Sequence, residues 1–300
     1  MSQSTAPSAP VQLTAETLIE NGVHFGHRAS RWNPKMRRYI HSKRNAIHII
    51  DLQQTVRGLV RACHFLRALS AEGGKILIVG TKRSAKDAVR AVAERTQMPY
   101  VTERWLGGTL TNFRTIRTRL ERLAELEADE ASAEFAEQSK KAQARVRTEK
   151  KKILKNLEGV RDLTELPAAL LVVDPRNEHI AVDEANKMRI PVIALLDTDC
   201  DPDPIDILIP GNDDAMRSVS LILGRAGDAM EEGLKEWRQV EAEREKAEAE
   251  RRREEEAKRE QERQRKQVEI EWQKKLRAEA DKRRAEGDAA AAPSGEAPQA

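Results

Sequence analysis

Short unbroken apolar runs alternate with stretches whose apolar residues return every three or four positions, and this alternation organises most of the chain. The run Lys75-Ile76-Leu77-Ile78-Val79-Gly80 predicts a strand buried on both faces. Ala169 to Val173, Pro191 to Leu196 and Ile205 to Ile209 predict three more, with another strand near Tyr100. Helices fill the intervals. Leu13 to Glu20 has helical character and stops at Asn21-Gly22. From Asp51, the positions Val56, Leu59, Val60, Cys63, Leu66 and Leu69 share a face, with Asp51 as the cap and Gly73-Gly74 as the stop. Ser84 is placed to cap a helix reaching about Arg95 before Pro99. His179 to Met188 carries Ala181, Ala185 and Met188 on one face, and Pro210-Gly211 precedes a helix from about Asp213 to Arg225. Continuous apolar strands alternating with amphipathic helices predict an α/β fold, a doubly wound parallel sheet covered on both sides.

One interval is too long for an ordinary crossover. Between Tyr100 and Ala169, Ile116, Leu120, Leu123 and Glu127 fall on one helical face, as do Val146, Lys150, Ile153 and Leu157, with a small-residue break near Asp129 to Ser132. The pattern predicts an inserted antiparallel helical hairpin over 112–160. Beyond Glu231 the chain is nearly all Glu, Arg, Lys, Gln and Ala to Glu286, which predicts a solvated charged helix supported by i,i+4 ion pairs. The expected organisation is a disordered leader 1–12, an α/β domain 13–227, a charged helical extension 228–286 and a disordered tail 287–300.

Composition narrows the function. Aromatic residues make up 3% of the chain and its net charge is +3, so the average says little and the distribution decides. From His24 to Arg44 stand seven Lys/Arg, three His, three aromatic residues and no acid. Arg28, Arg31, Lys35, Arg37, Arg38, Lys43 and Arg44 can neutralise phosphates. Phe25, Trp32 and Tyr39 offer faces for stacking, and His24 and His27 stand among them, a composition suited to RNA. His24-x-x-His27 is only half of a metal site. Gly80-Thr81-Lys82-Arg83-Ser84 joins a strand to a helix without the Gly-Lys-Ser/Thr ending of a Walker A loop, and Lys82 and Arg83 are expected to face a phosphate backbone. The Trp105-Leu106-Gly107-Gly108 segment, with Arg104 before it and Arg114, Arg117 and Arg119 after it, extends that surface.

Enzymatic chemistry finds no support. There is no dinucleotide fingerprint, no credible nucleophile and base, and the two cysteines, Cys63 and Cys200, sit in an apolar helix face and among carboxylates. Asp197, Asp199, Asp201, Asp203 and Asp206 could hold Mg²⁺ but lack the Gly and Glu of an EF-hand loop. No cofactor is expected beyond a structural Mg or Zn ion. The polar start and the lack of an apolar run of about 20 residues predict a cytoplasmic chain without a membrane span.

Six separated motifs make the reading more specific. Glu20-Asn21-Gly22-Val23-His24-Phe25-Gly26-His27, Trp32-Asn33-Pro34-Lys35-Met36, Val79-Gly80-Thr81-Lys82-Arg83, Arg104 through Asn112, Glu178-His179-Ile180-Ala181 and Ile209 through Ala215 together resemble the family of bacterial small-subunit ribosomal protein number two, from about Leu13 to about Gly227. The resemblance implies a flavodoxin-like sheet with an inserted coiled-coil hairpin and attachment to small-subunit rRNA near the head-body junction. It implies neighbouring ribosomal proteins as partners, recruitment of the mRNA-binding ribosomal protein number one, and neither catalysis nor a small-molecule substrate. The charged helix after Glu231 is longer than the family's short tail. Within it Trp237, Val268, Ile270, Trp272 and Leu276 are apolar exceptions that could dock on a neighbour, or are incidental to a solvated extension.

Overall fold

The structure, a computed structural model, describes residues 14–132, 135 and 139–290, without the side chains of 257, 261, 264, 265, 267–271 and 276–290. The expected leader 1–12 and residues 291–300 of the expected tail therefore lie outside the described residues. The chain divides into two units, the first ending at Arg238 and the second beginning at Gln239.

The first unit opens with α1 (Ala15–Glu20), capped by the Thr14 hydroxyl and closed by Asn21 and by Gly22 at φ 71°. Then come three short strands that the hydrophobic pattern did not announce, β1 (Phe25–Arg28), β2 (Ile40–Arg44) and β3 (Ile47–Ile50), forming an antiparallel sheet in the order β1-β3-β2. Helix α2 (Leu52–Ala71) starts at Asp51, whose carboxylate accepts the Gln53 N–H at 2.9 Å. Its buried face is Thr55, Gly58, Leu59, Ala62, Leu66 and Ser70, so Val60, expected inward, is 59% exposed.

The main sheet follows: β4 (Ile76–Val79), α3 (Lys86–Thr96), β5 (Tyr100–Val101), α4 (Phe113–Ala131), α5 (Lys140–Leu157), β6 (Ala169–Val173), α6 (His179–Lys187), β7 (Val192–Leu196), β8 (Ile207–Pro210) and α7 (Met216–Ala290). Its five strands are all parallel, in the order β5-β4-β6-β7-β8. That is the strand order of flavodoxin-type doubly wound sheets. The apolar runs are continuous because both faces are buried. Ile76 and Ile78 face a core with Leu59, Leu66, Val89 and Leu223, while Leu77 and Val79 face another with Trp105, Ile116, Leu157 and Ala181.

Several expectations shift. Ser84 does not cap α3; its hydroxyl donates to the Asp213 carbonyl at 2.7 Å, and Ala85 occupies the cap position. The helix expected over 213–225 begins instead at Met216, because the Asn212 side chain accepts the Asp214 and Ala215 N–H groups at 2.9 and 3.1 Å. It does not end at 225. Met230 and Leu234 belong to the core, and Trp237 lies over the end of α2, where a Cβ on Gly73 would come 2.5 Å from its Nε1. The body therefore runs to Arg238 rather than 227, and Trp237 serves its own domain rather than a neighbour. The helix continues through Gly287–Ala290, where the disordered tail was expected. In the second unit Lys266 pairs with Glu262 at 2.7 Å and Trp272 is 63% exposed.

Helices α4 and α5 pack on each other through Ile116, Leu123, Leu126, Ile153 and Leu157, with Glu130 paired to Arg147 at 3.3 Å and to Lys150 at 2.8 Å. Glu127, expected on the apolar seam, pairs with Arg161 instead. Among the described residues no helix is long and apolar enough to cross a membrane.

Gly58 shows how tightly α2 lies on β8, since a Cβ there would sit 2.1 Å from the Leu208 carbonyl oxygen. In an open helix Gly→Ala stabilises by about 1 kcal/mol. Here overpacking outweighs that gain, and Gly58→Ala is expected to destabilise by about 1–3 kcal/mol in urea unfolding. A rise in the unfolding midpoint would show that α2 and β8 are loosely packed at this point.

Candidate nucleic-acid interface

The basic segment is folded, not draped. Asn33 caps a 3₁₀ turn, Pro34–Tyr39, with its side chain accepting the Lys35 N–H at 3.0 Å. Residues three apart eclipse in such a turn. Met36 is therefore fully buried and Tyr39 half-buried on the inner side, while Arg37 and Arg38 stand exposed on the outer side. Asn45 and Ala46, at φ 48° and 61°, turn β2 into β3, which keeps His41, Lys43 and Arg44 exposed along an edge strand.

This small sheet is tied across the carboxyl ends of the main strands. The His27 N–H donates to Asp197 Oδ1 and Thr198 Oγ1 at 3.1 and 3.0 Å, and the Asn33 N–H donates to the Thr198 carbonyl at 2.8 Å. Gly26 is required at the join, because a Cβ there would lie 2.8 Å from Thr198 Cγ2. Side chains repeat the tie. His27 Nδ1 lies 2.8 Å from Asp197 Oδ2 and its Nε2 lies 3.4 Å from Asp214 Oδ2, while Lys35 pairs with Asp201 at 2.9 Å and with Asp203. Lys82 reaches Asp213, Asp214 and Asp174 at 2.7, 2.6 and 3.3 Å, and Arg176 pairs with Asp199 at 2.5 Å.

These pairings set the local electrostatics. The Asp197 carboxylate beside His27 is the largest cause of a pKa raised to about 9, against the cost of burial. Burial, then Asp174 and Asp197, push the Asp213 carboxyl up to about 7 even though Lys82 opposes the shift. Burial and the neighbouring Asp174 and Asp199 push the Cys200 thiol far up, so it is no nucleophile. The five aspartates weighed as a Mg²⁺ site are turned to other partners. Asp201 and Asp203 go to Lys35, and Asp206 accepts the Val192 N–H at 2.8 Å. A different set converges: His27, Asp197 and Asp213 offer ligand atoms all within 4.8 Å of one another. Asp213 Oδ2 is buried with no hydrogen-bond partner among the described residues. One nitrogen and carboxylate oxygens could hold a divalent ion such as Zn²⁺.

A second construction carries the other basic residues. Glu184 on α6 is 5% exposed, and its two oxygens accept from Trp105 Nε1 (3.1 Å), the N–H groups of Gly108 (2.7 Å), Leu110 (2.9 Å) and Thr111 (3.1 Å), and the Thr111 hydroxyl (3.1 Å). Burial raises its pKa, but the loop donors win and hold it below the usual carboxylate range. The loop's flanks display Arg104, Arg114 and Arg117 as exposed side chains, Arg117 touching the Thr164 carbonyl at 3.4 Å.

The predicted residues thus divide in two. His27, Lys35 and Lys82 are engaged by carboxylates. Arg28, Arg31, Arg37, Arg38, Lys43, Arg44, Arg83, Arg104 and Arg114 are exposed, and among the described residues no carboxylate pairs with them. The aromatic and imidazole rings serve the fold as well: Trp32 tilts against His48 with centroids 5.1 Å apart, His24 meets Phe25 at 4.0 Å, and Arg38 lies 5.6 Å over Tyr39. Sequence reasoning missed Thr198 and Glu184. The signal for Glu184 was an acid between Ala181 and Ala185, on a helix face otherwise apolar.

A profile described as Ribosomal protein S2 matches residues 18–233. The chain is 58% identical over 219 residues to the small ribosomal subunit protein uS2 of two strains of Thermus thermophilus, spanning 73% of this chain and 86% of the relative. It is 52% identical over 223 residues to the small ribosomal subunit protein uS2 of Acidothermus cellulolyticus, spanning 74% of this chain and 81% of that one.

His27 makes the stability of this join depend on pH. Its folded pKa is raised from 6.5 to about 9, so its stabilising contribution is complete below about 6.5 and is lost as pH rises through about 9. Chelator-treated protein is expected to lose thermal stability across that window, and His27→Gln to flatten the loss. Added Zn²⁺ should restore stability at the alkaline end, because the metal takes the deprotonated imidazole and competes with the proton. A Tm indifferent to Zn²⁺ at every pH would remove the metal reading and leave the ion pairs alone.

Proposed function

The chain belongs to the ribosomal protein S2 family, structural and not catalytic constituents of the small ribosomal subunit in translation, and from that premise we propose that it grips small-subunit rRNA through its basic antiparallel sheet. The observation that carries the reading is the division between paired and unpaired cations. The acids of the strand ends are spent on His27, Lys35, Lys82 and Arg176, while Arg28, Arg31, Arg37, Arg38, Lys43 and Arg44 stand on one small, rigidly anchored element without an acidic partner among the described residues. Such residues gain most from phosphates, since they carry no internal ion pair to break. Arg83, Arg104, Arg114 and Arg117 extend the surface toward the body's α4 side. His24, Trp32 and Tyr39 support the sheet beneath them.

Family membership further supports attachment near the head-body junction, in the bacterial cytoplasm, with neighbouring ribosomal proteins and the mRNA-binding ribosomal protein number one as partners. In this reading the pair α4 and α5 is a coiled-coil hairpin that reaches beyond the α/β domain, and the charged extension is an addition to the family's core.

Sedimentation tests the central claim. The chain should co-migrate with small subunits at moderate salt and leave them at high salt. Changing Arg28, Arg31, Arg37 and Arg38 together to Ala should weaken the association and reduce the slope of log affinity against log salt by about 1 for each phosphate no longer neutralised. Circular dichroism should report an unchanged α/β body. An unaltered slope would shift the RNA surface away from this sheet.

A further inference from the structure

The loop from Trp105 to Thr111 is an unusual place to find order. It contains two adjacent glycines and a left-handed backbone at Gly108, φ 89°, and no strand or helix fixes it. Two turn hydrogen bonds, Thr109 N–H to the Leu106 carbonyl and Asn112 N–H to the Gly108 carbonyl, shape it, and one side chain of another element ties it to the body. Both Glu184 oxygens are used, one by Trp105 Nε1 and the Gly108 N–H, the other by Leu110 and Thr111. We infer that Glu184 is a positioning residue for RNA binding, holding this loop so that Arg104 before it and Arg114 and Arg117 after it stand at fixed places. The inference rests on the rRNA reading above and adds to it a residue that never touches RNA.

Three observations favour a positioning role over simple stabilisation. The donors are backbone N–H groups of the loop itself, so the carboxylate fixes the loop's path and not only a side chain. Thr109 and Leu110 are buried while Arg104, Asn112 and Arg114 are exposed, so the hold separates an anchored side from a presented side. At the tip, a Cβ on Gly107 would meet nothing within 4 Å, and no left-handed backbone is required there. Neither crowding nor conformation within the chain calls for glycine at 107. The open position leaves room for a partner's backbone to come close. A groove beside the tip, lined by Leu106, Asn112, Ile116 and Arg119, has a volume of about 210 Å³.

Glutamine at 184 keeps the size of the side chain but leaves one acceptor oxygen and turns an NH₂ group toward the loop's N–H donors. The full chain carrying Glu184→Gln is compared with wild type for binding to small-subunit rRNA over a salt series, alone and combined with Arg114→Ala and Arg117→Ala. Glu184→Gln should weaken binding about tenfold and reduce the salt slope. Amide exchange should quicken at Gly108, Leu110 and Thr111 but not in the main sheet. In the Glu184→Gln background, removing Arg114 and Arg117 should cost little more, because arginines already misplaced have little left to contribute. A purely structural role would lower Tm and speed exchange while leaving the affinity and slope of the folded protein unchanged, and additive losses would equally overturn the inference. Should Glu184→Gln fail to fold, Trp105→Phe and Thr111→Val each remove donors from the same carboxylate and enter the same cycle. Wild-type protein that ignores rRNA at every salt concentration overturns the rRNA reading and this one with it; wild-type binding with unchanged Glu184→Gln binding overturns this one alone.

Discussion

Everything distinctive in this molecule depends on carboxylates at the strand ends being matched by cations from elsewhere in the chain. Asp174, Asp197, Asp199, Asp213 and Asp214 would repel one another at the edge of the sheet if left alone, and the Asp213 carboxyl is raised to about 7 by burial first and then by Asp174 and Asp197. His27 and Lys82 enter among them, and Arg176 closes on Asp199 from outside. Burying ion pairs of this kind rarely adds much net stability, because desolvation consumes most of the Coulomb gain. Its effect is to choose one arrangement. The basic sheet can dock only where His27 and Gly26 meet Asp197 and Thr198, so the register of a solvent-exposed, hydrophilic segment is set from within the body.

That same matching disposes of the site for which this strand order is best known. Doubly wound sheets bind nucleotides at the point where the strand order reverses, here between the ends of β4 and β6. In this chain the loop after β4 sends Lys82 to Asp174 and Asp213, and Thr81 bonds Glu178 and Asn177. A phosphate entering there would face Asp174, Glu178 and Asp213, and would have to draw Lys82 away from three carboxylates. The crevice is occupied by the protein's own charges, which is a physical reason for a structural constituent to keep the fold without its chemistry.

How far this was legible in the sequence depends on the range of the interaction. Strands β4, β6 and β7 were readable because a two-sided core demands apolar residues without a break, and α2 because Asp51 and Gly73 mark its ends. The strands β1 to β3 were not, since a sheet whose outer face is basic and whose inner contacts are few has no period to detect. The carboxylate partners of Lys82 could not be read because they lie 92, 131 and 132 positions away. Trp237 looked like a docking residue because Gly73, the surface it covers, is distant in the chain. The role of Glu184 was hard to read because three of its donors are backbone N–H groups, which leave no complementary residue type in the sequence.

The division between anchored and unpaired cations also explains why a chain with a net charge of +3 can present a strongly basic face. Nearly balanced totals would suggest a weak field, but the carboxylates held against His27 and Lys82 cancel charges that sit within the join, and those on Lys35 leave the neighbouring arginines unmatched. The acids therefore do not dilute the basic face; they take up the cations that hold it in place. In the second unit the same two signs are interleaved along one helix, where Glu262 and Lys266 pair at i,i+4 and neither is freed for a partner. Charge that is balanced locally gives a solvated helix, whereas charge balanced across the fold gives a face, and only the latter geometry gathers unpaired arginines on one element, where salt screens a partner's approach least effectively at short range.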